Sequence, residues 1–175
     1  MKKCLIVVDY QRDFVDGALG FAGAELLDER IVEKIREYRS TGGDIIFTFD
    51  THKADYLETA EGKKLPIPHC IEGTDGHKLY GRTADELTAA DKCIYKPGFG
   101  SSELCAYLTE NPYDRIELCG LVTDICVLSN AVIAKAACPM AEVYVDARCT
   151  ATASAESYNR ALDALSVVQV NILGR

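Results

Sequence analysis

Apolar positions along the chain form short unbroken runs separated by longer amphipathic stretches. Residues 4–8 are continuously apolar, the pattern of a strand covered on both faces. Residues 25–39 put Leu27, Ile31, Ile35 and Tyr38 on one helical face, and Gly42-Gly43 ends that helix. Residues 44–49 read as a second strand. After an irregular stretch the alternation resumes. Residues 83–90 suggest a short helix, 93–96 a strand, and 102–109 a helix with Ser101 or Ser102 as N-cap. Then follow a strand at 115–119, a helix at 124–137, a strand at 142–146, a helix at 154–165 and a last strand at 167–170.

Strands that alternate with helices imply parallel β-α-β units with right-handed crossovers. The expected fold is a three-layer α/β/α sandwich with a mostly parallel, doubly wound six-stranded sheet. The 175 residues suit one domain. Residues 51–82 are too long for a plain connector and form a functional-loop insertion. In open sheets of this kind ligands bind beyond the C-terminal strand ends. Asp9, Asp50 with His52, Lys96 and Cys126 all fall on that rim.

Composition narrows the function. The net charge is −8 and no basic cluster interrupts it, so neither nucleic acid nor an anionic membrane is an expected partner. The apolar run after Met1-Lys2-Lys3 stops at Asp9, too soon for a secretory signal, and a cytoplasmic location is expected. The eight cysteines include no C-x-x-C pair, which argues against a zinc knuckle and, without a signal peptide, against a disulfide framework. Most should be buried thiols. One stands apart by its place in the chain.

Cys126 follows a strand and a tight turn and opens a helix, where the helix dipole favours thiolate and free N–H groups converge. A lone cysteine on an apolar helix is more often an inert packing residue. Asp9, at the end of an apolar strand, is a partly desolvated carboxylate suited to proton transfer, though Asp also caps and turns. Lys96 would lower a neighbouring thiol's pKa, though a strand-end lysine is often simply solvated. Asp50-x-His52 points two ligand types to one side of an extended chain. With His69 they make a set that suits zinc, iron or manganese, or two solvated loop histidines and an Asp. His77, beside Gly76, reads as an exposed loop residue.

Three segments carry a family resemblance: Asp9-Tyr10-Gln11-Arg12-Asp13-Phe14, Lys96-Pro97-Gly98-Phe99-Gly100-Ser101, and Gly120-Leu121-Val122-Thr123-Asp124-Ile125-Cys126-Val127. In this order they resemble the isochorismatase-like cysteine hydrolases, and within them the nicotinamidases. The resemblance implies an Asp9, Lys96, Cys126 triad. It also implies a cis peptide between Leu121 and Val122, and an oxyanion hole from the N–H groups of Val122 and Cys126. It implies a divalent metal, zinc first with iron or manganese as alternatives, on Asp50, His52 and His69, with Glu61 as a further ligand. Phe14, Leu65 and Tyr95 are the apolar candidates to pack the substrate ring, because Leu65 stands where the family often has an aromatic residue and the chain has no Trp.

The expected activity is conversion of nicotinamide to nicotinate and ammonia through a cysteine thioester, a step of NAD salvage. A carbamoyl or ureido amidase with the triad but no metal is the nearest alternative. A non-catalytic α/β binding domain and a thiol redox sensor are further ones. The partner is a small-molecule amide, and the apolar helices leave room for a homo-oligomer.

Overall fold

A computed structural model describes residues 1–175. In chain order it has β1 (Lys3–Val8), α1 (Arg12–Val15), α2 (Leu27–Ser40), β2 (Asp44–Asp50), α3 (Gly81–Asp85), β3 (Lys92–Lys96), α4 (Ser102–Glu110), β4 (Arg115–Leu121), α5 (Leu128–Ala137), β5 (Glu142–Ala151), α6 (Ala155–Val167) and β6 (Asn171–Leu173). The strands form one sheet in the order β3-β2-β1-β4-β5-β6. Every pairing is parallel, so the sheet is wholly rather than mostly parallel.

Each face of the sheet has its own apolar layer. Cys4, Ile6, Val8, Ile46, Ile94, Leu118 and Val145 pack beneath α4, α5 and α6. Leu5, Val7, Ile45, Phe47 and Cys119 pack beneath α2. The central strand β1 is buried on both faces, which is why it reads as an unbroken apolar run, whereas β4, also buried, carries Glu117 within it. The chain order reverses between β1 and β4, and the C-terminal ends there open the crevice where such sheets bind ligands. Gly120 makes that crossing close: at φ 107° it lies so near β1 that a Cβ would meet the Val8 carbonyl oxygen at 2.1 Å.

Several boundaries differ from expectation. The short helix is Gly81–Asp85 and residues 86–90 leave it. β5 runs to Ala151, with a register shift opposite Leu118 and Gly120 that lets its end follow the rim. α6 extends through Val167, and the last strand is Asn171–Leu173, not 167–170. A β-branched tail resembles a strand locally, but here it completes the helix.

The layer beneath α2 also holds charges that periodicity did not reveal. Glu117 of β4 and Asp146 of β5 are buried, and Lys34 of α2 sits between them at 2.5 and 2.9 Å. Burial works to raise the Asp146 carboxyl, but Arg148 and Lys34 outweigh it and hold it at about 2. Glu117 is lowered likewise, against burial, by Lys34, Tyr38 and Arg115. Since the folded pKa lies below the unfolded one, this stability is present above about pH 4 and fades as pH falls toward 2. Asp146→Asn is therefore expected to cost about 1–3 kcal/mol at pH 7. Urea midpoints of the two proteins should converge as pH is lowered to 3 and below.

Candidate active site

Four strand ends supply the site. Asp9 follows β1 in the left-handed region at φ 46°, a conformation an Asp tolerates better than most residues. Asp50 ends β2, Lys96 ends β3, and Cys126 lies in a wide turn, Thr123–Val127, between β4 and α5. Asp9 and Lys96 are fully buried, and Cys126 is 4% exposed.

Lys96 joins them. Its Nζ lies 2.6 Å from Asp9 Oδ2, 3.2 Å from Asp50 Oδ1, 2.9 Å from the Gly98 carbonyl and 3.5 Å from Cys126 Sγ. A buried ammonium needs such company. Burial works to lower its pKa, but Asp9, Cys126 and Asp50 raise it further, so it stays a cation. Burial raises the Asp9 carboxyl, with Lys96 opposing and Asp50 adding. Thr48 Oγ1 donates to Asp9 Oδ1 at 2.6 Å and fixes that carboxyl.

The thiol departs from expectation. Burial pushes the Cys126 pKa well up, Asp9 adds to this, and Lys96 opposes it. The turn Thr123–Val127 runs directly into α5, so Cys126 does open the helical segment, and it is burial that works against the expected lowering. The resting group is a thiol, and reaction requires a base beside it. The Leu121–Val122 peptide is cis. The Val122 carbonyl accepts the N–H groups of Ile125 and Val127, closing the turn around Cys126.

Asp50 belongs to two clusters. Its Oδ2 lies 3.0 Å from His52 Nε2 and 3.3 Å from His69 Nε2. The ligand atoms of Asp50, His52 and His69 all fall within 4.8 Å of one another, so the group is suited to bind a metal ion. Glu61 Oε1 approaches the two Nε2 atoms at 3.8 and 3.6 Å. The donor chemistry fits a cation. His69 Nδ1 donates to the Ile67 carbonyl at 2.8 Å, which leaves the lone pair of a neutral ring on Nε2. That lone pair faces a carboxylate oxygen, an arrangement that needs a cation or a proton between them. Burial tends to lower the His69 pKa, yet Asp50 and the Ile67 carbonyl raise it overall. Asp50 itself is held low, because His52, His69 and Lys96 outweigh its burial.

Two residues that sequence reasoning did not single out support this cluster. Tyr56, wholly buried, stands edge-on to the His52 and His69 rings with centroids at 4.7 and 5.0 Å, and its hydroxyl donates to the Leu65 carbonyl. Gln11 extends the β2 end: Oε1 accepts the Asp50 N–H at 2.8 Å and Nε2 donates to the Asp50 carbonyl at 2.9 Å. Gln11 lies in the Asp9–Phe14 motif, so its position is visible in the sequence. Tyr56 had no such signal.

The ring-packing candidates part ways. Phe14 is buried with its ring 5.6 Å from that of His69, so it borders the site. Leu65 is half-buried and gives its carbonyl to Tyr56. Tyr95 is not brought to the triad. Adjacent strand residues face opposite ways, and it leaves the sheet on the side away from Lys96. It stacks on Phe49 at 5.0 Å and helps line a separate cavity of about 720 Å³. His77 is half-buried rather than exposed, with its ring beside Tyr95 and Nε2 at 2.8 Å from Thr51 Oγ1.

Known proteins share this fold. The isochorismatase domain model matches residues 3–173. An isochorismatase-family protein of Bacillus subtilis strain 168 is 34% identical over 147 residues, 75% of this chain and 78% of that protein. The crystal structure of a pyrazinamidase/nicotinamidase from Streptococcus mutans superposes with a TM-score of 0.88 at 32% identity, covering 98% of this chain and 100% of that one. The pyrazinamidase of Pyrococcus horikoshii, crystallised in complex with zinc, superposes with a TM-score of 0.86 at 27% identity over 99% of each chain.

Proposed function

We infer what this protein does from the fact that the chain belongs to the isochorismatase family, whose domain spans residues 3–173. It is an amidohydrolase that converts nicotinamide to nicotinate and ammonia, a reaction of NAD salvage. One observation carries the reading: Lys96 Nζ lies within 2.6 Å of Asp9 and 3.5 Å of Cys126 Sγ, beside an Asp-His-His group joined to it through Asp50.

The carboxamide carbon is a weak electrophile, so the site must supply a strong nucleophile and a place for negative charge. Asp9 takes the proton of the Cys126 thiol, and the buried Lys96 ammonium stabilises the thiolate. The sulfur attacks the carbonyl carbon. The N–H groups of Val122 and Cys126 hold the oxyanion. Protonated Asp9 returns its proton to the departing nitrogen, ammonia leaves, and an acyl thioester on Cys126 remains. Asp9 then takes a proton from water as it attacks the thioester. The acid departs, and that proton goes back to the sulfur. The raised Asp9 pKa suits a group that must both take and give a proton.

Asp50, His52 and His69, with Glu61 within reach, would hold a divalent metal, zinc first. When bound, such an ion would supply Lewis-acid chemistry to anchor the pyridine nitrogen. Phe14 borders the ring, and Asp50 keeps the anchor in register with Lys96. Eight unpaired cysteines support a reducing compartment such as the cytoplasm.

The functional test is ammonia release across a panel of small amides, with and without chelator. Nicotinamide should be the preferred substrate, and chelation should suppress its turnover. Equal rates on a carbamoyl amide by a metal-free protein would favour the ureido-amidase alternative. His52→Ala is expected to lower bound zinc from about one per chain to near zero and to raise KM for nicotinamide at least tenfold. Wild-type KM in a metal-free His52→Ala protein would remove the metal from the account.

A further inference from the structure

Asn130 is a fully buried polar residue inside α5, one helical turn after Cys126. Asn is a poor mid-helix residue and an unbonded amide is costly to bury, so its contacts must be specific. Its Nδ2 donates to the Cys126 carbonyl at 2.8 Å and to the Phe99 carbonyl at 3.0 Å. Its Oδ1 accepts the Ser101 N–H at 3.1 Å. Phe99 and Ser101 bracket Gly100 in the loop that leaves β3 directly after Lys96. The same loop gives Lys96 Nζ the Gly98 carbonyl at 2.9 Å. It already lies against α5, where a Cβ on Gly100 would come within 2.7 Å of Ile133 Cδ1.

We propose that Asn130 is a positioning residue for the nucleophile: one side-chain amide ties the loop that seats Lys96 to the turn that carries Cys126, and so sets the distance from ammonium to sulfur. This rests on Cys126 being the nucleophile. The two backbone segments come from different crossovers of the sheet, and Asn130 donates to both at once. No other side chain bonds both the Cys126 carbonyl and the loop after Lys96. Loosening it leaves Asp9, Lys96 and Cys126 present but no longer held in reacting order.

Asn130→Asp keeps the volume but removes both donors and sets an acceptor against two carbonyl oxygens. Asn130→Ser is milder, keeps one donor, and serves if the first variant does not fold. Ser154→Ala is the control, since it removes only the N-cap acceptor of α6, far along the chain from the loop. Both Asn130 variants should lower kcat for nicotinamide roughly 10- to 100-fold. KM and bound zinc should change little, and iodoacetamide labelling of Cys126, read by peptide mapping, should slow with kcat. Ser154→Ala should lower the melting temperature with kcat and labelling unchanged. Asn130 variants that lose melting temperature yet keep wild-type kcat and Cys126 labelling would reduce Asn130 to a packing residue. Loss of zinc with a raised KM would also overturn the proposal. Undiminished nicotinamide turnover in Cys126→Ala would defeat the functional reading itself and this proposal with it.

Discussion

Cys126→Ala is expected to lower the rate of ammonia release from nicotinamide by on the order of 10⁴-fold or more, leaving the protein folded. The size follows from what is lost. Neither Asp9 nor Lys96 can form an acyl intermediate in place of sulfur. Water alone must then attack a carboxamide, with only binding and oxyanion stabilisation left to help it. The fold should survive because Asp9 and Lys96 still neutralise each other at 2.6 Å, and the vacated space is about one sulfur atom. A destabilisation of about 1 kcal/mol is ordinary for such a change. The other seven cysteines offer no substitute. Cys119, for instance, turns its sulfur to the Ile6 carbonyl, and Cys126 is the one cysteine that Lys96 bonds. Steady-state kinetics and a thermal melt on the same preparation check both halves. Undiminished turnover would end the nucleophile assignment.

Lys96→Ala is expected to damage stability and activity together. Lys96 is the only cation within bonding distance of Asp9, and it also neutralises Asp50. Removing it leaves two buried carboxylates facing each other across a cavity. Breaking a buried ion pair from one side typically costs about 3–5 kcal/mol. Asp9 should answer by binding a proton, since burial and Asp50 already raise its pKa and Lys96 is what opposes them. A protonated Asp9 cannot take the thiol proton, so the variant should lose activity at neutral pH even at temperatures where it remains folded. Denaturant midpoints and kcat measured well below the melting temperature separate the two effects. A Lys96→Ala protein as stable as wild type would contradict the buried-pair geometry.

Much of this was legible in the sequence because it depends on local chemistry. The apolar run of β1 and its closing Asp9 announce a buried strand ending in a carboxylate, and Asp50-x-His52 announces a ligand pair. The rim rule for parallel sheets then brings Asp9, Asp50, Lys96 and Cys126 together without any side-chain coordinates. What was not legible depends on tertiary neighbours. The Cys126 pKa looked lowered from its helix position, but burial, which no local pattern reveals, pushes it up. Tyr95 is an available apolar candidate for the substrate ring, yet alternation along the strand sends it to the face away from Lys96. Glu117 and Asp146 sit inside strands that gave no sign of the Lys34 reaching them from α2. Tyr56 holds two histidines from within a loop whose course is set by long-range contacts such as the His52 to Ile71 bridge.

Catalysis turns on a covalent bond between the substrate's acyl group and one sulfur. Mass spectrometry of the enzyme, acid-quenched during turnover of nicotinamide and then digested, looks for that bond directly. One nicotinoyl group should appear on the peptide containing Cys126 and disappear once substrate is exhausted. Rapid turnover with no acyl adduct at any quench time, or an adduct on another cysteine, would contradict the mechanism.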